Sequence, residues 1–310
     1  MAQTNGAAVA LATRKQPSIP MFGVVYGASK LGKTTAALYD FPTAIFVAQP
    51  GALKPALGVV GNVPKSVDLE NIQAVGTLLR EIAALPAARR PSAVVVDDFS
   101  LLAERTVTQL EKRYASAKNG YEVWSAVRTV VLEFREIARH CGVHVLLTAH
   151  ESAPTMKNGA FVRGGPRLPG RLPEDLCAAC DAVFRVDVDE LRIGPWPAVV
   201  RCSPLDRNYI SGDRHGIAYD KAPLNLAELL RAAGYWLPRA PGLEWAEEVV
   251  EALAVALAGA TERTAVLREA VEPLRRHPAS DLAIRWIFRD ALDRAAIRAR
   301  LASPLASFGC

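Results

Sequence analysis

The run GASKLGKT at residues 27–34 constrains the fold of this chain more than any other stretch. It matches the pattern G-x-x-x-x-G-K-[ST] at every fixed position, and this pattern is typical of loops whose backbone N–H groups surround a phosphate. The apolar run 22–26 before it predicts a buried strand, and the run 34–39 after it predicts a helix that ends before Pro42. A strand, a glycine-containing loop and a helix in this order predict a nucleotide-binding α/β fold.

The residue types of this loop suit a polyphosphate. Gly27 and Gly32 allow tight turns, and the N-terminus of the following helix adds partial positive charge. We expect Lys33 to reach the β- and γ-phosphates of a nucleotide and the Thr34 hydroxyl to bind Mg²⁺. The predicted nucleotide-binding residues are Gly27, Ala28, Ser29, Lys30, Leu31, Gly32, Lys33, Thr34 and Thr35.

A second feature is the β-branched run 92–96, which is followed by two acids, Asp97 and Asp98. Such a run predicts a strand buried on both faces, and it resembles a Walker B strand. Asp97 would then hold Mg²⁺ together with Thr34. Asp98 occupies the place at which related enzymes carry an acid that polarises the attacking water. The alternative is a pair of acids that simply marks the end of a strand.

Two further strands are predicted to end in polar residues. The strand 43–48 precedes Gln49, which can orient a water molecule but cannot take its proton at neutral pH. The strand 143–150 carries Thr148 and His150 near its end, and we expect both beside the γ-phosphate as sensors. For His150 a bystander role is an equal alternative, and His144, inside the strand, is predicted to be a hydrogen-bonded core residue.

Arginines follow the last predicted strands of the core. Arg207 and Arg214 are candidates to neutralise γ-phosphate charge, either within one chain or across a subunit interface. Structural salt bridging is the alternative for both.

The segment from Glu151 to Arg171 contains four basic residues and one acid, and a long loop is predicted at residues 152–171. Its cations would meet backbone phosphates and its one aromatic side chain would stack on a base, as in sequence-tolerant binding of single strands. The candidate DNA-binding residues are Lys157, Phe161, Arg163, Arg167 and Arg171. A solvated hairpin with ordinary surface charges is the alternative.

The composition fits a globular protein. The chain has 310 residues and a net charge of +5, which permits a polyanionic partner without requiring one. No apolar run reaches the length of a membrane span and no signal-peptide pattern is present, so a cytoplasmic location is expected. The five cysteines do not suggest a disulfide framework. The pair Cys177 and Cys180 lacks further ligands for zinc and is interpreted as buried packing.

Composition also divides the chain. A flexible arm is predicted at residues 1–18, a nucleotide-binding core at 19–236, a linker rich in proline at 237–243, and a small helical domain at 244–310. The order of motifs predicts a mostly parallel sheet flanked by helices, with nucleotide at the carboxyl ends of the strands. The helical domain has nearly balanced charge and suits a protein partner better than a nucleic acid.

Taken together, these motifs resemble the phage-encoded RecA-like ATPases, the group that includes the Sak-type single-strand annealing proteins. The resemblance covers about residues 20–235 and rests on the blocks 27–35, 94–98, 147–151, 164–170 and 213–216. It implies a RecA-like core, ATP hydrolysis with Mg²⁺, a homo-oligomer and binding of single-stranded DNA in phage recombination, annealing or replication. Gln49 departs from the family pattern, so hydrolysis is expected to be slow or to depend on Asp98.

Two other functions remain open at this stage. One is an oligomeric motor ATPase, such as a helicase loader, a DNA-packaging machine or a protein-remodelling machine, which the two adjacent acids and the helical domain would suit. The other is a nucleotide-binding interaction protein that does not hydrolyse ATP, which the glutamine at position 49 would suit.

Overall fold

The computed structural model describes residues 20–41, 43–54, 65–116, 120–188, 198–214, 219–235 and 244–262, with seven further positions: 265, 266, 269, 291, 292, 294 and 295. The predicted arm at 1–18, the linker at 237–243 and most of the predicted helical domain beyond residue 262 lie outside the described residues. The division of the chain into domains therefore stays a prediction.

The strands of the described residues, in chain order, are β1 Phe22–Gly27, β2 Ile45–Val47, β3 Ser66–Val67, β4 Ala93–Val96, β5 His144–Ser152, β6 Thr155–Lys157, β7 Ala160–Val162, β8 Gly165–Pro166, β9 Ala182–Val188, β10 Ala198–Cys202, β11 Gly212–Asp213 and β12 Tyr219–Pro223. The α-helices are α1 Lys33–Asp40, α2 Ile72–Ala84, α3 Phe99–Arg113, α4 Tyr121–His140, α5 Leu172–Cys177, α6 Leu226–Ala232 and α7 Glu244–Gly259.

One mixed sheet forms the centre of the molecule. Its strand order is β12-β10-β9-β1-β5-β4-β2-β3, with β11 added to β9 and β8 to β5. The strands from β9 to β3 in this order run parallel, whereas β10 pairs antiparallel with both of its neighbours, β9 and β12. The first strand in the chain, β1, lies between β5 and β9. The mostly parallel α/β architecture predicted from the sequence is therefore present, and it brings the carboxyl ends of β1, β2, β4 and β5 to one edge of the sheet.

The sheet separates two apolar cores because the buried strands carry apolar side chains on both faces. On one face, β1 packs with α1 and α6 through residues such as Val25, Leu38 and Leu229. On the other face, it packs with α2, α3 and α4, where the ring of Phe134 lies 5.4 Å from that of Phe99. His144 is buried and its Nδ1 accepts a hydrogen bond of 3.0 Å from the Met21 amide, so the predicted core role agrees with the structure.

The structure corrects the extent of several predicted elements. The apolar spacing of residues 67–85 and 101–117 predicts two helices, and the structure contains them as α2 and α3, which begin at Ile72 and Phe99. The earlier start of α3 follows from Asp98, whose carboxylate caps the helix by accepting a hydrogen bond from the Leu101 amide. The segment 152–171, predicted as a loop, contains the hairpin β6–β7 and the short strand β8. No helix among the described residues is long and apolar enough to cross a membrane.

The C-terminal helix α7 and the described residues near position 294 pack on the core. Arg294 is almost fully buried, with its guanidinium 3.9 Å from a carboxylate oxygen of Glu228 in α6 and 3.6 Å from one of Glu251 in α7. These ion pairs connect the C-terminal helices to the nucleotide-binding core.

Phe134 is the centre of the second core, and its removal tests how much the fold depends on it. The side chain is 1% exposed and contacts the rings of Phe99 and Phe22. Phe134→Ala should lower the free energy of unfolding by about 3–5 kcal/mol because it leaves a cavity. Urea unfolding followed by circular dichroism measures this change. Val255→Ala, at a 61% exposed position, is the control, and equal stability of the two variants would contradict the assignment.

Candidate functional site

The glycine-containing loop connects β1 to α1 at the carboxyl edge of the sheet. Gly27 is the last residue of β1, and a Cβ atom there would lie 2.5 Å from the carbonyl oxygen of Val186, so only glycine fits. Gly32 has a φ of 80° and precedes the first residue of α1, Lys33. The loop can adopt this course because glycine enters the left-handed region without a steric penalty.

Lys33 is buried beneath the loop that precedes it. Its Nζ donates hydrogen bonds to the carbonyl oxygens of Gly27 at 3.0 Å and Ala28 at 2.7 Å. Burial lowers the pKa of this ammonium, and the nearby carboxylates of Asp97 and Asp98 act in the opposite direction. The side chain is therefore a positioned cation at the base of the loop.

One carboxylate oxygen of Asp97 accepts hydrogen bonds from two hydroxyl groups. Thr34 donates to Oδ1 of Asp97 at 2.8 Å, and Thr148 donates to the same atom at 2.7 Å. Burial raises the pKa of this carboxyl group, while the two hydrogen bonds act to lower it. A residue of α1, a residue of β5 and the residue that follows β4 thus meet in a single contact.

The Thr148 hydroxyl forms two hydrogen bonds. Besides donating to Asp97, it accepts a hydrogen bond of 3.0 Å from the Asp98 amide, and the residue is 2% exposed. The sequence predicts Thr148 as a γ-phosphate sensor. In the structure its hydroxyl fixes the side chain of one acid and the backbone of the next, and the sensor role stays a prediction.

Asp98 has an unusual backbone conformation, with a φ of 63°. Its Oδ1 caps α3 through the Leu101 amide at 3.2 Å, and its Oδ2 lies 3.3 Å from Nε2 of His150. The His150 amide in turn donates to the Ser100 hydroxyl at 3.0 Å. Asp98 and His150 are therefore neighbours, and each is about one third exposed toward the loop.

These groups surround one cavity of about 420 Å³ at the carboxyl edge of the sheet. Gln49 lies on its wall, as the sequence predicted for a residue that follows β2. The lining residues are Ser29, Lys30, Gly32, Lys33, Thr34, Thr35, Gln49, Ala52, Asp97, Asp98, Thr148, Ala149 and His150. The cavity combines a lysine, a set of loop amides and adjacent hydroxyl and carboxylate oxygens, which can hold a polyphosphate together with a hard cation.

Arg214 does not reach this cavity. The short strand β11 pairs with Ala182 and Val183 at the start of β9, whereas Val186 near the end of β9 lies opposite Gly27. The Arg214 guanidinium donates to the Ala178 carbonyl oxygen at 2.7 Å. This placement at the opposite edge contradicts a contact with nucleotide bound in the same chain, because strand pairing rather than chain order sets the position. Only the role across a subunit interface stays a prediction.

The hairpin β6–β7 extends from the end of β5, beyond the cavity. Met156 and Phe161 are cross-strand partners, and they are 67% and 52% exposed. Asn158 and Gly159 form the turn with φ values of 51° and 76°. Lys157 is exposed beside this turn. The hairpin therefore presents an apolar pair and a cation to solvent.

The three predicted DNA-binding arginines differ in their contacts. Arg163 donates to the carbonyl oxygens of Asp206, at 2.8 Å, and Tyr209, so it anchors the neighbouring loop. Arg167 lies 3.6 Å from a carboxylate oxygen of Glu104. Arg171 is 91% exposed and 3.5 Å from Glu174. Of these, Arg163 is committed to structure, and the other two form weak surface pairs.

A polar cluster beside the hairpin was not predicted from the sequence. Arg185 donates from Nε to Oε2 of Glu151 at 2.8 Å, and its guanidinium carbon lies 3.5 Å from the ring centroid of Tyr209. Asp187 pairs with both Arg185 and Arg201. The alternation of Arg185 and Asp187 within a strand was the available signal. The cluster holds the loop at 203–211 against the strands from which the hairpin emerges.

Cys177 and Cys180 are buried free thiols whose pKa values burial raises, as expected for packing residues. Among the described residues, no group of three or more His, Cys, Asp or Glu side chains could hold a metal ion by itself.

Comparison with known proteins relates this chain to a protein family. A family model described as an AAA domain matches residues 20–215, more than half of the chain and every residue that lines the cavity. Among solved structures, a KaiC-like protein from Pyrococcus horikoshii OT3 is similar at 19% identity and a TM-score of 0.36, with 58% of this chain and 77% of that one covered. The flagellar accessory protein FlaH from Methanocaldococcus jannaschii is similar at 11% identity and a TM-score of 0.35, with 62% and 79% covered. No curated protein matched.

The raised pKa of Asp97 leads to a prediction about stability. The folded protein holds a proton on this group more readily than the unfolded chain does, so its contribution to stability is present at low pH and is lost as pH rises through the folded pKa. Asp97→Asn should therefore raise the free energy of unfolding at pH 7, and the gain should vanish below the ordinary pKa of an aspartate.

Urea unfolding at pH 7 and at a series of acidic pH values measures the effect. Asp68→Asn is the control, because Asp68 is 45% exposed and forms only a surface pair with Arg105. A loss of stability at pH 7 in Asp97→Asn alone would contradict the prediction.

Proposed function

We propose that this chain, which belongs to the AAA domain family, is a Mg²⁺-dependent ATPase with a RecA-like core. The observation that carries the proposal is the convergence of Thr34, Thr148 and Asp97 beside Lys33 on one cavity wall. Nucleoside triphosphates need a cation for their phosphates and oxygen ligands for the accompanying metal. The cavity offers both at neighbouring positions.

Two residues fit Mg²⁺. The Thr34 hydroxyl and the Asp97 carboxylate are hard oxygen donors in direct contact, and Mg²⁺ is usually held by one or two such groups together with substrate phosphates. When bound, the metal neutralises charge on the β- and γ-phosphate oxygens. Thr148 acts as a positioning residue, because its hydroxyl holds the Asp97 carboxylate in place.

Asp98 is the proposed acceptor for the proton of the attacking water. It has a carboxylate on the cavity wall, whereas Gln49, on the same wall, can only orient water through its amide. The Nε2 atom of His150 lies 3.3 Å from Oδ2 of Asp98, so a proton that arrives there meets a second titratable group. Lys33 stabilises the negative charge that develops on the transferred phosphoryl group.

The proposed second ligand is single-stranded DNA, bound at the hairpin β6–β7. The exposed Phe161 and Met156 side chains offer an apolar surface for bases, and Lys157 lies at the turn. Base stacking with nearby cations is the usual mode of sequence-tolerant binding. The hairpin continues the strand that carries Thr148 and His150, which supports a link between DNA binding and ATP turnover.

The biological setting is also proposed rather than derived from the site. The resemblance to phage-encoded RecA-like ATPases supports a homo-oligomer in recombination, annealing or replication. In a homo-oligomer, Arg214 of one subunit could contact the nucleotide bound by the next subunit. This is the form of the Arg214 prediction that the structure leaves open.

Variants of the cavity test the ATPase. Lys33→Ala should abolish MgATP binding, whereas Asp98→Asn should keep binding and lower the rate of hydrolysis by about 100-fold or more, as for loss of a general base. Steady-state phosphate release and equilibrium titration with MgATP separate the two effects. Lys112→Ala, an exposed lysine of α3, is the control. Unchanged hydrolysis in Asp98→Asn would remove that residue from the proposal.

Variants of the hairpin test DNA binding. Phe161→Ala should weaken binding of a fluorescent oligo-dT strand by about 10-fold, because stacking on an aromatic ring contributes roughly 1–3 kcal/mol per base. The matched control is Leu205→Ala, at a 77% exposed position on another loop. Wild-type protein that neither binds the strand nor hydrolyses ATP faster in its presence would refute the DNA-binding part of the proposal.

A further inference from the structure

The loop at 203–211 contacts the strand that leads into the phosphate loop. The hydroxyl of Tyr26, in β1, donates a hydrogen bond of 2.7 Å to the carbonyl oxygen of Ile210. Tyr26 is 0% exposed, and it directly precedes Gly27, the last residue of β1. Burial raises the pKa of the Tyr26 phenol, so the hydroxyl keeps its proton and serves as the donor. The loop at 203–211 is therefore attached to β1 one residue before the phosphate loop begins.

The same residue of this loop also binds the base of the hairpin. The Ile210 amide donates to the carbonyl oxygen of Gly164 at 2.9 Å, and the Gly164 amide donates to the carbonyl oxygen of Asn208 at 2.8 Å. Gly164 lies between β7 and β8, where the chain leaves the hairpin. Ile210 thus holds the hairpin base through its amide and β1 through its carbonyl oxygen.

Contacts within the loop and with β9 restrain the residues next to Ile210. The Oδ1 atom of Asp206 accepts hydrogen bonds from the amides of Asn208, at 2.8 Å, and Tyr209, at 3.1 Å. The guanidinium carbon of Arg185, in β9, lies 3.5 Å from the centroid of the Tyr209 ring. Because these contacts fix the backbone on one side of Ile210, we expect a displacement of the hairpin base to reach β1 rather than be absorbed by the loop.

The hairpin is connected to the cavity by β5 and also by this loop. The strand β5 carries His150 beside Asp98. The second connection passes from Gly164 through Ile210 to Tyr26 and ends at the phosphate loop. A polyphosphate held by the amides of the phosphate loop would restrict the end of β1. A restriction at one end of such a series of hydrogen bonds lowers the conformational freedom of the other end.

We infer that Tyr26 is a positioning residue through which a nucleotide bound at the phosphate loop restricts the hairpin β6–β7. The inference rests on the nucleotide site of the proposed ATPase and does not depend on the proposed DNA ligand. The hydrogen bond from Tyr26 to Ile210 transmits the restriction. The exposed surface of Met156, Lys157 and Phe161 is then more ordered in the nucleotide-bound protein, so a ligand of the hairpin loses less conformational entropy when it binds.

Hydrogen–deuterium exchange of peptides that cover residues 152–166 measures this effect. Each protein is compared with and without a saturating concentration of a non-hydrolysable ATP analogue and Mg²⁺. In the wild-type protein, the bound analogue should slow exchange in the hairpin by about threefold or more, because local opening becomes less frequent. Tyr26→Phe removes the phenol oxygen and keeps the buried ring. It should bind the analogue within about threefold of wild type, because Tyr26 does not line the cavity, and it should lose the slowing in the hairpin.

A second variant and a control accompany Tyr26→Phe. Asp206→Ala releases the amides of Asn208 and Tyr209 without changing β1 or the hairpin, and it should also lose the slowing. Tyr121→Phe is the matched control, because it removes the same hydroxyl from a residue of α4 that is 78% exposed, and it should keep the slowing. Calorimetric titration with the analogue shows that each protein is saturated, and thermal unfolding shows that each is folded.

Unchanged hairpin exchange in the wild-type protein with bound analogue would overturn the inference. Slowing that persists in Tyr26→Phe or in Asp206→Ala would also overturn it, because β5 would then carry the effect. Loss of the slowing in Tyr121→Phe would show that the effect is not specific to Tyr26 and would overturn it too. If the wild-type protein does not bind the analogue, the proposed nucleotide site fails instead, so the two failures are distinguishable.

Discussion

The contact of Thr34 and Thr148 with one oxygen of Asp97 holds the site together. It joins the helix after the phosphate loop to two neighbouring strands, and its distances of 2.8 and 2.7 Å leave little freedom for the carboxylate. The Thr148 hydroxyl also accepts a hydrogen bond from the Asp98 amide, so the same hydroxyl fixes the start of α3. The positions of both acids thus depend on a threonine that is 2% exposed.

This arrangement is electrostatically costly for the protein alone. Burial raises the pKa of Asp97 and lowers that of Lys33, because the charged form of each group is less stable in the protein than in water. In the proposed complex, a polyphosphate and a divalent cation would supply the opposite charges. The site therefore resembles many functional sites, where groups placed for a ligand reduce the stability of the fold.

The side chains in and around the hairpin fall into two groups. Arg163 and Arg185 are held by carbonyl or carboxylate oxygens, and they fix the loop at 203–211 against β9 and the hairpin base. Gly164 belongs to the same junction, because a Cβ there would lie 2.6 Å from the Tyr209 ring. Phe161, Met156 and Lys157 remain exposed. The hairpin thus has a rigid base and an accessible tip.

The sequence by itself determined the phosphate loop, the acid pair and the parallel α/β architecture, because each depends on local pattern: glycine spacing, a β-branched run and the positions where strands end. It also placed Gln49 and His150 correctly at the same sheet edge. The sequence could not determine which residues are hydrogen-bond partners of one another. Strand order and hydrogen bonds between residues about 35 to 50 positions apart decide three such placements. Thr148 donates to Asp97, Arg163 anchors a loop, and Arg214 lies at the opposite edge of the sheet. Such contacts form only when the strands are paired, so only the tertiary structure decided them.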